Sequence, residues 1–505
     1  MYPPTIAAER PDAVAFVMAT SGTSLTYSEL DHKSNQLAHL LRARGVTAGR
    51  SLLLVMENRI EWPIAVAAGM RSGLYVTPIN RYLTGPELAA VFAEADPAAV
   101  VTSAALRDTV TEALAGRDDV VLLCTDGAAE GFDDLHAVLA DQSSTPIADE
   151  ALGARVMYSG GTTGRPKAFR QQLLGVHPAQ APARHGALAE ALGVDANTVL
   201  LSPAPNYHAA PFTFQLMVLA AGGTVVCMER FDAGAAMAAI ERYRVTHSQW
   251  VPTMLLRLLR LENRDEIALS PSHKVAFTSG ATCPVEVKDQ INDWWGTILH
   301  EYYGASEGYG YTYISAEESR THPGSVGRPL GGTRVRIGNE ASEPLRLGEV
   351  GRVYFARPAD AAYRNADDTA RAEGANWRSM GDSGYIDADG FLYLVGRESF
   401  MIISGGVNIY PEQIEEVLVT HPDVADAAVF GVPDPEFGEK VTAVVELRPG
   451  RGADDEMARV LIEHCRGAMA GFKAPKTIEF IDTLPRTPAG KLNKKNLRAD
   501  YLAAR

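Results

Sequence analysis

The stretch that decides the fold is SLLLVMENRIEWPIAVAAGMRSGLYVTPIN, residues 51–80. It opens on the unbroken apolar run SLLLVM, which reads as a strand covered on both faces. An apolar helix around Trp62 to Met70 follows, and YVTPIN reads as a second strand. Downstream, the pattern continues with a helix from Pro86 to Ala95 and the apolar run AAVVTS at 98–103. Upstream, Thr26 to Gly45 has a capping box of Thr26 and Glu29, an apolar face of Leu30, Leu37, Leu40 and Leu41, and a glycine stop, so it specifies a helix. Strands alternating with helices at this spacing predict βαβ units and a parallel sheet with helices on both faces. Such sheets bind ligands at the carboxyl ends of their strands.

The alternation returns after residue 195, with TVLLSP, an apolar segment from Phe212 to Met228 and a helix from Gly234 to Tyr243. From about Ser399 the pattern changes to a glycine-rich turn, a helix (Pro411 to Thr420), the strands VADAAVFGVP and EKVTAVVEL, a helix (Asp454 to Met469) and the strand TIEFID. That is a small α+β domain, with its boundary near Arg397. Residues 473–505 carry eight Lys or Arg against three acids inside an acidic chain, which suits either a solvated tail or a surface that meets phosphates.

At 505 residues, two or more domains are expected. A formal charge of -15 repels nucleic acid and anionic membrane, so neither is an expected partner. Cys124, Cys227, Cys283 and Cys465 are widely spaced, without a zinc or disulfide pattern, and the N-terminus shows no secretory signal. No apolar run approaches the roughly 18 residues of a spanning helix. These features predict a cytoplasmic protein in a reducing compartment.

YSGGTTGRPKAFR, residues 158–170, follows an apolar segment and concentrates glycines, hydroxyls and basic groups. Glycines let backbone N–H groups converge on an anion, while Ser159, Thr162 and Thr163 add hydroxyl donors and Lys167 adds charge. No Lys-Ser/Thr pair closes it, so it is not a Walker A loop. Further stretches recur in order: PNYHAAPF (205–212), TSGAT (278–282), EYYGASEG (301–308), PGSVGRP (323–329), WRSMGDSGYIDADGF (377–391), GRESFMIISGGVNIYPEQIEE (396–416), GVPDPEFGEK (431–440) and LPRTPAGKLNKKNLR (484–498). Together they resemble the adenylate-forming superfamily of acyl-CoA synthetases, luciferases and peptide-synthetase adenylation domains, over nearly the whole chain.

The resemblance implies an α/β fold. A large N-terminal domain (1–397) of doubly wound mixed sheets with a β-barrel-like part would hold the ATP and acyl sites, and a small mobile C-terminal domain (398–505) would carry the catalytic lysine. It implies an ATP-dependent acid:CoA ligase that makes acyl-AMP and pyrophosphate, then acyl-CoA and AMP. ATP, coenzyme A and a carboxylic acid are the expected substrates, Mg²⁺ the expected cofactor and a homodimer the expected assembly. Catalytic roles fall on Lys491, Glu307 (also the metal ligand), His208 and Thr163. The phosphates would lie on Ser159, Gly160, Gly161, Thr162, Thr163, Gly164 and Lys167. Adenine and ribose would meet Gly280, Ala281, Tyr303, Gly304 and Ala305, with Ser306 on the α-phosphate, and Asp382 and Arg397 at the ribose.

The acyl group would lie against Tyr207, His208, Ala209, Phe212, Thr278, Ser279, Gly280 and Ala305. His208 is either a gate or a hydrogen-bonded wall residue. Pantetheine would pass Ser404, Gly405, Gly406 and Val407, with Ser399 as hinge. The pocket residues are small or aromatic without Lys, Arg or Asp, which points to a fatty, aryl or steroid-type monocarboxylic acid. Gly160, Ala168 and Phe400 depart from the superfamily's usual Ser, Gly and acid. A stand-alone acyl-adenylating enzyme that loads a carrier protein, a luciferase-like oxygenase and a non-catalytic nucleotide-binding relative remain as alternatives.

Overall fold

The computed structural model of the chain describes residues 2–114, 116–159, 167–181, 185–281, 283–304, 308–339, 343–356, 377–397, 400–404, 407–434, 437–469, 471, 473–486 and 492–504. Ser51–Val55 and Tyr75–Pro78 are adjacent parallel strands, with the helix Glu61–Arg71 between them in sequence. They belong to a seven-stranded sheet in the order Asp133–Asp134, Val121–Cys124, Pro97–Thr102, Ser51–Val55, Tyr75–Pro78, Ala154–Ser159, Lys167–Arg170. Its pairings are parallel except the last, an antiparallel hairpin. The unbroken apolar run is explained by where its side chains go. Leu52 and Leu54 enter one core with Trp62 and Val76, while Leu53 and Val55 enter another with Leu88 and Phe92. Burying each such side chain is worth about 2 kcal/mol.

A second, nine-stranded sheet runs Arg328–Pro329, Tyr311–Ile314, Leu299–Gly304, Val275–Thr278, His247–Trp250, Val199–Ser202, Thr224–Cys227, Val14–Met18, Ser24–Thr26. Its centre is parallel and its edges antiparallel. The Leu52 core also takes Leu200, Val225 and Phe212, so it lies between the two sheets. The helix Tyr27–Ala43 forms as expected, with Thr26 accepting from the Glu29 N–H and Glu29 reaching back to the Thr26 N–H at 2.8 Å.

The barrel-like part expected from the sequence is, among the described residues, an open antiparallel sheet of Arg334–Gly338, Gly351–Ala356, Asp382–Ile386 and Leu392–Arg397. Residues 402–504 build their own sheet, with Gly438–Leu447 at its centre between Val424–Asp434, Ile402–Ser404 and Thr477–Ile481. Its two apolar clusters draw only on residues of that region.

Among the described residues no buried apolar cluster crosses between this small unit and the rest. Among the described residues, polar groups meet across the seam. Arg260 donates to the carbonyl of Ala425 at 2.7 Å. Glu416, on the helix Pro411–Thr420, lies within electrostatic reach of Glu286 and Lys288 on the helix Val285–Trp295. Gly396, at φ +148°, sits so close to the Pro411 helix that a Cβ would come within 2.7 Å of Glu412 Oε2. Phe400, which replaces the acid usual in the superfamily, lies 5.5 Å beneath the Lys494 ammonium, and Lys494 also pairs with Glu415 at 2.8 Å and Glu412 at 3.4 Å. Burial raises both Glu415 and Glu416 to about 7. Their contribution to stability is present below the ordinary carboxylate range and is lost as pH rises through about 7.

Buried histidines in the large unit pull the other way. His273 accepts or donates at 2.6 Å to Ser248 Oγ, and burial depresses it to about 3; burial likewise lowers His300 to about 4 and lowers His247. The unfolded chain binds protons there that the folded one does not, so this stability is present above about pH 6.5 and lost as pH falls toward 4. Thermal melts are expected to show the melting temperature of the large unit dropping between pH 6.5 and 5. His273→Gln should flatten that slope by up to ~1.4 kcal/mol per pH unit; an unchanged slope would refute the assignment.

Candidate active site

Several of the described residues singled out by the sequence lie just past the carboxyl ends of parallel strands: the segment 203–208 follows Val199–Ser202, and Ser279 to Ala281 follow Val275–Thr278. Carboxyl ends of parallel strands open onto loops free of ladder bonds, which is why ligand groups collect there.

On the nucleotide side, three expected residues converge. Tyr303 donates its phenol hydroxyl to Asp382 Oδ2 at 2.5 Å, and its ring packs at 5.6 Å on Phe355. Asp382, 5% exposed, opens its strand directly opposite Arg397 in the ladder. An aromatic face, a nearly buried carboxylate and an arginine position are thereby gathered from two segments, with Tyr303 79 residues from Asp382. Gly280 has φ +87°, and a Cβ there would touch only Val251 at 3.8 Å, so backbone conformation and not crowding requires glycine. Ala281 beside it is exposed. Gly304 ends its strand opposite Tyr311.

At the edge hairpin of the seven-stranded sheet, Ser159 is opposite Lys167 and Tyr158 opposite Ala168. Gly160, Gly161, Thr162, Thr163 and Gly164 lie outside the described residues, as do Ala305, Ser306, Glu307, Ser399, Gly405, Gly406, Lys491 and the side chains of Ser159, Lys167, Arg397 and Val407.

On the acyl side, His208 is the N-cap of the helix Ala209–Ala220, and its ring stands 4.3 Å from that of Tyr207. Tyr207 is 7% exposed and burial pushes its phenol up; Tyr82 adds to this and Arg81 opposes it. Arg81 and Tyr82, on the loop after Tyr75–Pro78, therefore stand beside the expected pocket, and the sequence reading missed them. The Arg81 guanidinium is already engaged by Glu57 at 3.7 Å and donates to the Tyr82 hydroxyl at 2.6 Å. Ala209 is half-buried at the helix start. Phe212 is fully buried edge-on to Trp62, 5.4 Å away, and Thr278 is fully buried beside Trp250 and Glu301, so both serve packing here. Ser279, also buried, is hydrogen-bonded to the Tyr302 side chain.

Beneath the Tyr303 strand, Lys288 and Glu301 form a buried ion pair, and Lys288 also reaches the Ser325 carbonyl at 3.4 Å. Removing one partner of such a pair strands a charge in the interior. Ser404 and Val407 are opposite each other in an antiparallel pair of strands in the small unit. Among the described residues one His-Asp-Asp group has ligand atoms within 4.8 Å of one another, His322, Asp387 and Asp389. There Asp387 accepts from the N–H groups of Asp389 and Phe391, so its carboxylate caps a turn.

Comparison with known proteins agrees with this geometry. A feruloyl-CoA synthase from Amycolatopsis sp is 32% identical over 491 residues, covering 95% of this chain and 94% of the relative. A medium/long-chain fatty-acid–CoA ligase of Mycobacterium tuberculosis is 30% identical, covering 96% of this chain and 87% of its own length. The o-succinylbenzoate CoA synthetase of Bacillus subtilis, solved in complex with its acyl-adenylate intermediate, superimposes with a TM-score of 0.83 at 25% identity, over 98% of this chain and 97% of that one. Residues 4–362 match the AMP-binding enzyme pattern and residues 413–491 match the C-terminal domain of AMP-binding enzymes. The chain belongs to the AMP-binding enzyme family, among its acyl-CoA ligases.

Proposed function

We propose that this protein activates an apolar fatty, aryl or steroid-type monocarboxylic acid as its acyl-AMP and passes the acyl group to the thiol of coenzyme A. In the first step a carboxylate oxygen attacks the α-phosphorus of ATP and the bond to pyrophosphate breaks. In the second the CoA thiol attacks the acyl carbon and AMP leaves. The observation that carries the reading is the Tyr303–Asp382 contact with Arg397 across the ladder, because it supplies a ring for adenine and a carboxylate for the ribose hydroxyls at one place. Asp382 can accept two hydroxyls through two oxygens, one of which the Tyr303 phenol holds in this state.

Two anions must approach one another, so fixed cations and donors do the main catalytic work. Lys167 and the 160–166 backbone would cradle the outer phosphates, with Ser306 on the α-phosphate and Glu307 holding Mg²⁺. Lys491 would reach from the small unit, residues 398–505, to both reacting groups. The polar seam between the units supports this, since surfaces that meet through neighbouring charges and a single hydrogen bond separate more readily than an apolar interface. Ser399 would be the hinge, and Ser404 to Val407 would line the thiol path in the second arrangement. Tyr207, His208, Ala209 and Gly280 would border the acid. The compensated state of Arg81 favours a monocarboxylate, and the relatives that act on feruloyl and fatty acyl groups support an apolar chain or ring. Four thiols buried and unpaired suit the reducing cytoplasm, and a homodimer completes the proposal.

The direct test is pyrophosphate release across a panel of acids, followed by mass detection of thioesters with CoA; an acid turned over without CoA consumption refutes the ligase reading. Lys491→Ala is expected to slow acyl-AMP formation ~10²- to 10³-fold, while supplied acyl-AMP still reacts with CoA. Asp382→Asn is expected to raise KM for ATP about tenfold, the scale of one charge-assisted hydrogen bond. It should also erase most of the preference for ATP over 2′-deoxy-ATP, which steady-state kinetics with both nucleotides will read.

A further inference from the structure

The two halves of the proposed adenylation site stand on different sheets. The hairpin of the phosphate loop is the edge of the seven-stranded sheet, and the segment carrying Tyr207 and His208 leaves the nine-stranded one. The side chain of Asn58 ties the two together at the end where the site lies. It follows the carboxyl end of Ser51–Val55 and is 8% exposed. Its Nδ2 donates to the carbonyl of Ala204 at 3.1 Å and to that of Met228 at 2.8 Å, and its Oδ1 accepts from the Asn206 N–H at 2.8 Å. Ala204 and Met228 lie just past the carboxyl ends of Val199–Ser202 and Thr224–Cys227, which are neighbouring parallel strands.

Two carbonyls require N–H groups and one N–H requires an oxygen, so a single orientation of the amide satisfies all three. The chain of contacts runs on. Asn206 Oδ1 accepts from Gln215 Nε2 at 2.7 Å, and the same nitrogen donates to Ser202 Oγ at 3.0 Å. Gln215 belongs to the helix that His208 caps, so the acyl loop is held at its start, its middle and the helix beyond. Ser202, Asn206 and Gln215 are each no more than 1% exposed.

We propose that Asn58 is a positioning residue for acyl-AMP formation, fixing the loop that borders the acid against the sheet that carries the phosphate loop. The proposal rests on the adenylation reading above. Attack on phosphorus demands alignment of two partners bound to two sheets, and a displacement of about 1 Å can cost ~10²-fold in rate. The second half reaction makes no such demand, because pyrophosphate has gone and acid and nucleotide are one molecule.

The test is Asn58→Asp, which keeps the side chain's shape but withdraws both donors. Single-turnover pyrophosphate release is expected to fall ~10- to 100-fold, with KM for ATP within about twofold of wild type, while supplied acyl-AMP reacts with CoA at the wild-type rate. Asn35→Ala, which removes a part-buried bond from the helix Tyr27–Ala43 to the Ser144 carbonyl, reports what loss of stability alone does and is expected to leave the ratio of the two half reactions unchanged. Equal loss in both half reactions for Asn58→Asp, or loss in neither, overturns the proposal. If that variant does not fold, Gln215→Met should show the same selective loss at smaller size, and its absence is equally decisive. Should no acid yield acyl-AMP, the adenylation reading fails on its own. Amide hydrogen exchange over 203–212 still decides the tie, with faster exchange in Asn58→Asp supporting it and unchanged exchange overturning it.

Discussion

Like charges have to be brought together in this protein, and the constraint that organises the rest is where donors to them can be mounted. Parallel strands end together at one edge of a sheet, and their loops leave with backbone groups uncommitted. Two such sheets share one apolar core here, so the loops of both are carried on a rigid base built from Leu52, Leu54, Leu200 and Val225. The interior sets the distances, and the loops need supply only chemistry. A buried polar network of Asn58, Asn206 and Gln215 stands in that base, with Asn206 Nδ2 and Gln215 Oε1 buried without a partner, and a polar group placed there specifies one arrangement where an apolar one would allow several.

The same logic explains why the small unit is joined so differently. It has its own core, around Ile414, Val429 and Leu461, which takes in no described residue of its neighbour. Across the seam stand charges instead: Glu416 faces Glu286 and Lys288, and Arg260 holds a single carbonyl. Such contacts contribute far less than an apolar core would. Phe400 fits this picture as the floor beneath Lys494, giving the ammonium an aromatic partner while its carboxylate partners remain on the Pro411 helix.

Much of the fold was legible because apolar periodicity reports burial. SLLLVM and YVTPIN formed where expected, and so did every helix and strand read between Pro411 and Ile481, to within a residue or two. The strand His247–Trp250 was not legible, since HSQW looks polar; it is fully buried because His247 finds the Leu192 carbonyl and Ser248 joins His273 to Trp250. The hairpin partner Lys167–Arg170 was hidden inside a glycine-rich run that read as loop. At the site, Tyr303 and Asp382 were named from motif resemblance, yet their contact spans 79 residues and no local pattern encodes it. Asn58, Arg81 and Lys288 escaped for the same reason: each acts through a partner on another element, and an isolated asparagine or lysine in a sequence has no signature of burial.

Gly396 carries one last implication. The distance between the lobes at this point is set by a carbon that is missing, since backbone at φ +148° lies against Glu412 and Tyr410 with no room for a methyl group. A side chain there would act as a wedge at the root of the small lobe, and the tilt it imposed would grow with radius from the pivot. The spacing between the lobes at this point can therefore be changed by a single substitution at Gly396.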